Sequence, residues 1–213
     1  MNESVMHWVM EVLPDPKGKR VLEVGSLDVN GGIRGYVEGL GPSEYLGIDI
    51  KAGIGVDRIL DARDLTSSLG ARRWDVVIST EMLEHCREWQ EAMYEMKESL
   101  DIGGSLMVTT RSPGFFYHEF PGDYWRFTKE ILDEAMGDLD SVMVIDDPNV
   151  SQPGVFAIGV RVGEVTKPTV AARHLTPFEL GSVDPTDVEE FRRLNPDLDW
   201  TEEGSKWFIR KKP

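Results

Sequence analysis

Arg20-Val21-Leu22-Glu23-Val24-Gly25-Ser26 is the stretch on which the fold turns. Its apolar run is too short for a helix and is closed by a glycine, so it reads as a buried strand running into a tight turn. Outward from it the chain repeats the device. Tyr45-Leu46-Gly47-Ile48-Asp49, Val56 to Leu60, Trp74 to Ser79 and Ser105 to Thr110 are further short strands. Between them lie segments of helical period. Gly31 to Leu40 is one. Glu84 to Leu100, with Trp89, Met93, Met96 and Leu100 on one face, is the clearest. Before the first strand, Ser4 to Leu13 carries Val5, Trp8, Val9 and Val12 on one face and stops at Pro14. Thr128 is placed to cap a helix containing Ile131, Leu132, Ala135 and Met136. Val142–Ile145 and Val155–Val162 are the last two strands, near enough to form an edge hairpin.

Seven strands alternating with helices predict an α/β fold. The sheet is Rossmann-like and mostly parallel, has helices on both faces, and ends in an antiparallel hairpin. One domain is expected over 1–162. The composition shifts near Gly163, and 163–213 reads as an extension that packs on the domain or on a partner chain, with a homodimer as one form of that. Within it, Pro185 to Leu194 could form a short helix, and Trp200, Trp207, Phe208 and Ile209 are too apolar to leave in water.

The whole chain limits the function. Its 213 residues carry a net charge of −15. Such a chain repels phosphate backbones and anionic membrane surfaces. The single cysteine, Cys86, excludes an intrachain disulfide framework and a Cys-rich zinc site, and fits a reducing compartment. No apolar run approaches the ~20 residues that span a bilayer, and Met1-Asn2-Glu3-Ser4 lacks the pattern of a signal peptide. The expected location is cytoplasmic.

In open α/β sheets, ligands bind beyond the carboxyl ends of the strands. The residues there are Glu23 and Gly25, then Asp49, then Asp61-Ala62. The glycines after the first strand do not make the full dinucleotide fingerprint, because Ser26, Asp28 and Asn30 interrupt it. A carboxylate at Glu23 suits an ammonium better than a phosphate. Asp49 can accept both hydroxyls of a ribose, and Asp61 can accept an adenine amino group. Singly, each is as readily a turn or cap residue. Together they describe a pocket for an amino acid, a ribose and an adenine.

With these residues in place, the sequence resembles the class I S-adenosylmethionine-dependent methyltransferases. Leu22 to Ser26, Tyr45 to Asp49, Asp61 to Leu65, Trp74 to His85 and Gly103 to Thr109 match the family's five motifs in order. The departure is Gly25-Ser-Leu-Asp-Val-Asn-Gly31, which lacks the usual second glycine. The resemblance implies S-adenosylmethionine as donor and S-adenosylhomocysteine as product. It implies Glu23, Gly25 and Ser26 at the methionine moiety, Asp49 at the ribose, Ile50 against adenine, Asp61 and Ala62 at the adenine edge, and Thr80 and Glu81 beside the sulfonium.

The loop from Arg111 to Phe127 follows the fifth strand and is expected over the donor's methyl group. His118 is the expected general base, because imidazole exchanges protons near neutral pH. Asp123 or Glu119 orients it or takes the role. Tyr124, Trp125 and Arg126 are expected at the substrate. Arg126 could instead be a structural partner of Asp123, and Trp125 and Phe127 could simply pack the loop down. A magnesium site from His118, Glu119 and Asp123 is conceivable, but nothing fixes its geometry and no metal is assigned. Cys86 beside His85 is not a nucleophile–base pair, since adjacent helical residues do not face each other. His85 is expected to pack or cap. Glu84, Glu88, Glu91, Glu95 and Glu98 are expected to form a solvated face.

The expected activity is methyl transfer to oxygen, or less readily nitrogen, of a small molecule or carbohydrate. A nucleic-acid methyltransferase is disfavoured by the charge and by the lack of an N-P-P-Y type motif at Ser79-Thr-Glu-Met82. A non-catalytic scaffold of the same fold is a third reading. A nicotinamide dehydrogenase fits worse, because its phosphate-binding glycines are incomplete.

Overall fold

The structure is a computed structural model. It describes residues 2–70, 73–116, 118 and 122–171, and the backbone of 173–174, 198–203 and 206–211. Helix α1 (Glu3–Val12) leads into β1 (Arg20–Val24), α2 (Arg34–Gly39), β2 (Glu44–Asp49) and β3 (Arg58–Ile59). Then come α3 (Leu65–Leu69), β4 (Trp74–Thr80), α4 (Trp89–Ser99), β5 (Leu100–Arg111) and the two-residue β6 (Trp125–Arg126). Helix α5 (Lys129–Ala135) precedes β7 (Asp140–Asp146) and β8 (Gly154–Val160).

The main sheet has seven strands in the order β3-β2-β1-β4-β5-β8-β7. Pairing is parallel from β3 to β5 and antiparallel at β8 and β7, as the sequence predicts. Strand order reverses between β1 and β4, which opens a crevice at their carboxyl ends.

The central strands are buried on both faces, with side chains alternating between two cores. Val21, Val76, Ile78, Met107 and Phe156 meet Val5, Trp8 and Val9 of α1 and Ile33 and Val37 at α2. Leu22, Val24, Val77, Leu106, Val108 and Val155 meet Leu65 of α3, Trp89, Met93 and Met96 of α4, and Ile131 and Leu132 of α5. Asn2 caps α1 by accepting from Ser4 N–H at 3.3 Å, and the Trp8 and Phe156 rings lie 5.2 Å apart.

Beyond small shifts at element ends, three differences from expectation stand out. Strand β5 starts five residues earlier than predicted, at Leu100, with a register irregularity opposite Trp74 and Val76. Helix α3 was not anticipated, because its five residues carry too little period to read. The most consequential difference is the start of α4. The sequence predicts a helix from Glu84, but Leu83–His85 form a single 3₁₀ turn and α4 begins at Trp89. The carbonyls that would have sustained the helix are taken by the loop after β5. Tyr124 N–H donates to Glu84 O at 2.8 Å, and Trp125 Nε1–H donates to Cys86 O at 2.8 Å and Arg87 O at 3.2 Å.

The glutamate face is solvated only in part, at the exposed Glu88 and the half-buried Glu91 and Glu98. Glu84 and Glu95 are buried. Glu95 accepts from Thr66 N–H at 2.7 Å, and so tethers α3 to α4.

Beyond Gly163, the first residues of the extension lie on the domain. Thr166 N–H donates to Asp138 Oδ2 at 2.6 Å, Val165 and Val170 pack against the core, and β9 (Arg173–His174) pairs with β6. Strands β10 (Leu198–Glu203) and β11 (Lys206–Lys211) pair with each other as a hairpin that the sequence reading did not foresee. The helix expected over 185–194 lies outside the described residues. Among the described residues, no helix is long and apolar enough to cross a membrane.

Candidate active site

The crevice at the switch point is a cleft of about 820 Å³. Glu23, Asp49 and Asp61 all line it, and so do Gly25, Ser26, Ile50, Ala62, Thr80 and Glu81. Nine residues scattered over 59 positions of sequence are brought to one cavity because each lies at, or just past, the carboxyl end of a parallel strand.

The β1 end is built around Gly25. Its φ of +82° suits glycine, and a Cβ there would lie 2.7 Å from the Met82 side chain. The N–H groups of Gly25 and Ser26 both donate to Ile48 O at 2.9 Å. In the turn that lacks the family's second glycine, Asp28 accepts from Gly31 N–H at 2.6 Å, so a side chain closes the turn. Glu23 is buried, and Tyr45 donates its hydroxyl to Oε2 at 2.5 Å. Burial pushes the Glu23 carboxyl up to about 7, against the lowering effects of Tyr45 and Arg34.

At the β2 end, Asp49 accepts from Leu27 N–H at 3.3 Å and Lys51 N–H at 2.9 Å. Ile50 is 51% exposed on the cleft wall. At the β3 end, Asp61 takes part of the cap role weighed above. It accepts from Arg63 N–H at 2.9 Å and from Arg63 Nη2 at 2.7 Å, and the Arg63 hydrogen bond holds its carboxyl below the ordinary range.

The β4 end carries the strain. Glu81 has φ +55°, a conformation that costs a non-glycine residue energy and clusters at functional sites. Its N–H donates to Thr109 O at 2.9 Å, and Thr109 Oγ1 donates back to its carboxylate at 2.9 Å. Arg111 Nε touches Glu81 Oε2 as a charge pair whose N–H does not point at that oxygen. Burial, reinforced by the Glu84 charge, holds the Glu81 carboxyl above the ordinary range.

The loop after β5 divides into residues that face the cleft and residues that hold the loop. His118, Phe115, Phe116 and Tyr124 line the cleft. Asp123 is buried behind His118, accepting from its N–H at 3.0 Å and its Nδ1 at 3.1 Å. Burial alone would raise the Asp123 carboxyl, but hydrogen bonds from Arg126 and His118 outweigh it and keep the group low. Its place behind the ring suits the orienting role of the two expected for it.

Arg126 is buried and forks onto Asp123, with Nη2 at 2.6 Å from Oδ2, and donates to Phe116 O at 3.0 Å. Trp125 gives its indole N–H to the chain before α4. Neither lines the cleft, so the structural alternatives for Trp125 and Arg126 describe them better than substrate contact. Tyr124 keeps a place at the cleft, under the Arg87 guanidinium at 4.8 Å. Glu119 lies outside the described residues.

Two residues depart from the roles expected of them. Glu84 is fully buried. Its Oε2 accepts from Thr110 Oγ1 at 2.7 Å, while its Oε1 has no hydrogen-bond partner. His85 does not merely pack. It lines the cleft, donates from Nδ1 to Gly122 O at 2.5 Å, and sets its ring 4.7 Å from that of His118. The signal in the sequence was Glu81-Met-Leu-Glu84-His85 at a strand end, which a helical assignment from Glu84 conceals. Cys86 beside it also lines the cleft, its thiol pushed up to about 12 by burial.

No protein-family model matches the sequence, and no curated protein is similar to it at a significant level. Solved structures are similar in fold. An S-adenosylmethionine-dependent methyltransferase from Mesorhizobium loti superposes with TM-score 0.58 at 13% identity, over 75% of this chain and 99% of that one. The magnesium protoporphyrin IX methyltransferase of Synechocystis, solved with S-adenosylmethionine, gives 0.53 at 15% identity over 75% and 77%. The 1,6-didemethyltoxoflavin-N1-methyltransferase of Burkholderia thailandensis, with its substrate and S-adenosylhomocysteine, gives 0.52 at 13% over 75% and 76%. With the strand order and the antiparallel edge, these likenesses establish that the chain has the class I S-adenosylmethionine-dependent methyltransferase fold.

Proposed function

We propose that the protein is an S-adenosylmethionine-dependent methyltransferase that acts on an oxygen of a small molecule or carbohydrate. The observation that carries this reading is the convergence of Glu23, Asp49 and Asp61 with His118 on one cleft. The volume, about 820 Å³, lies within the range of small-molecule sites. Glu23 faces the donor's ammonium, Asp49 its ribose hydroxyls, and Ile50 the adenine ring. The acidic chain favours a small acceptor over a nucleic acid.

In the reaction the acceptor oxygen attacks the methyl carbon in line with sulfur. The carbon–sulfur bond breaks, its electrons pass to sulfur, and the sulfonium becomes a neutral thioether. The acceptor's proton leaves on the His118 side. In the simplest version His118 Nε2 takes it, because Nδ1 is held by Asp123. Positioning supplies most of the acceleration, worth roughly 7–11 kcal/mol in favourable cases. Phe115 and Phe116 exclude water.

Calorimetric titration with S-adenosylhomocysteine tests the donor site. Binding that Asp49→Ala weakens at least tenfold is expected, roughly the loss of a bidentate hydrogen bond to a charged group. An absence of binding to the wild-type chain would leave the non-catalytic scaffold as the better account.

A further inference from the structure

We propose that Glu84, His85 and His118 form a binding site for a divalent transition-metal ion at the acceptor side of the cleft. Glu84 Oε1 lies 4.0 Å from His85 Nε2 and 3.9 Å from His118 Nε2, and the three atoms all lie within 4.8 Å of one another. Ligands about 2.1 Å from one ion are about 3–3.5 Å apart, so small side-chain rotations close the set.

Three features say that this is more than proximity. First, both imidazoles are turned the same way by what stands behind them. Gly122 O can only accept, so His85 Nδ1 carries the proton. Asp123 is held as a carboxylate by Arg126, so His118 Nδ1 carries the proton there. In each ring the bare lone pair is then on Nε2, facing Glu84. A carbonyl and a carboxylate behind the ligating imidazoles are the usual supports of a metal site. Second, Glu84 is fully buried, with one oxygen anchored by Thr110 and the other without a hydrogen-bond partner. A buried carboxylate oxygen left in this way is costly unless a cation meets it. Third, the histidines do not meet that need themselves. Separations of 3.9 and 4.0 Å are beyond a hydrogen bond, and two imidazolium ions with rings 4.7 Å apart would repel.

Two imidazole nitrogens and one carboxylate suit Mn²⁺, Fe²⁺, Co²⁺ or Zn²⁺ better than Mg²⁺ or Ca²⁺. Three protein ligands leave coordination positions open, and these face the cleft. On the methyl-transfer reading, which this last step alone requires, they would take oxygens of the acceptor, such as neighbouring hydroxyls. A bound ion would make the acceptor hydroxyl more acidic, its proton passing to water in the cleft, with His118 as a ligand in place of the free base.

The test uses the full chain stripped with a chelator and titrated with Co²⁺ alone. One equivalent is expected to bind and to give visible d–d absorption bands. Glu84→Gln, His85→Gln and His118→Gln are each expected to weaken binding at least tenfold, with circular dichroism unchanged for Glu84→Gln. Binding that neither Glu84→Gln nor His85→Gln weakens overturns the site, as does no binding at all.

Titration of the same proteins with S-adenosylhomocysteine separates this proposal from the donor reading. Donor binding without Co²⁺ binding sinks the metal site alone. Co²⁺ binding without donor binding supports the site and sinks the methyl-transfer reading alone.

Discussion

The segment from Glu84 to Leu100 carries buried charge at both ends, and the two ends are built on opposite terms. At the carboxyl end of α4, each buried cation has its partners. Lys97 is only 1% exposed, and its Nζ donates to both Asp138 oxygens at 2.8 Å and to Ala135 O at 2.9 Å. Arg161 covers the last carbonyls of the helix, donating to Glu98 O at 2.7 Å and Leu100 O at 3.0 Å, and pairs with the Glu98 carboxylate at 3.0 Å. Before α4, Glu84 keeps an oxygen without a partner and Glu81 sits in a strained backbone. Satisfied buried charge holds a structure together. Unsatisfied buried charge at a cleft is held in place by the rest of the fold and points to chemistry.

The contrast can be broken by substitution. Asp138→Ala leaves Lys97 buried without its carboxylate, and should cost roughly 3–5 kcal/mol in urea unfolding. Glu84→Gln keeps an acceptor for Thr110 and removes a buried charge, so stability should hold or rise. Equal destabilisation by both would erase the distinction.

A smaller effect is expected at Gly25. Gly25→Ala meets Met82 and a positive φ, and should cost about 2 kcal/mol or more. Adding Met82→Ala should recover only the part due to the clash.

The pH dependence of donor binding sharpens the reading of Glu23. With its carboxyl at about 7, Glu23 must lose a proton to face an ammonium. Affinity for S-adenosylhomocysteine should therefore fall as pH drops below 7, by up to about tenfold per unit. Stability runs the other way. A carboxyl raised by folding binds more protons in the folded state, so its contribution declines as pH rises from about 4.5 to about 7. Glu23→Gln should flatten both profiles.

The smallest effect is at Ile50. Because its side chain is half exposed, Ile50→Ala should leave unfolding unchanged and weaken donor binding by about 1 kcal/mol, roughly fivefold.

Much of this was legible in the chain. Strands β1, β2 and β4 follow from short apolar runs ending at Val24, Asp49 and Ser79, and the residues at or just past those ends reach one cleft. The loop after β5 was harder to read. Asp123, Arg126, Trp125 and His118 are all residues that could touch a substrate, and composition does not rank them. The ranking came from hydrogen bonds across the fold: Arg126 is used up on Asp123, and Trp125 on Cys86 and Arg87. The same bonds stopped α4 short and turned Glu84 and His85 inward.

The sequence by itself determined the α/β class, the strand ends and the carboxylates at them, because alternation and short apolar runs are local properties of the chain. Only the tertiary structure decided that Glu84, His85 and His118 meet. Their meeting depends on backbone carbonyls 84, 86 and 87 being claimed by a loop almost 40 residues away. Such competition between helix and loop for the same acceptors leaves no local pattern to read.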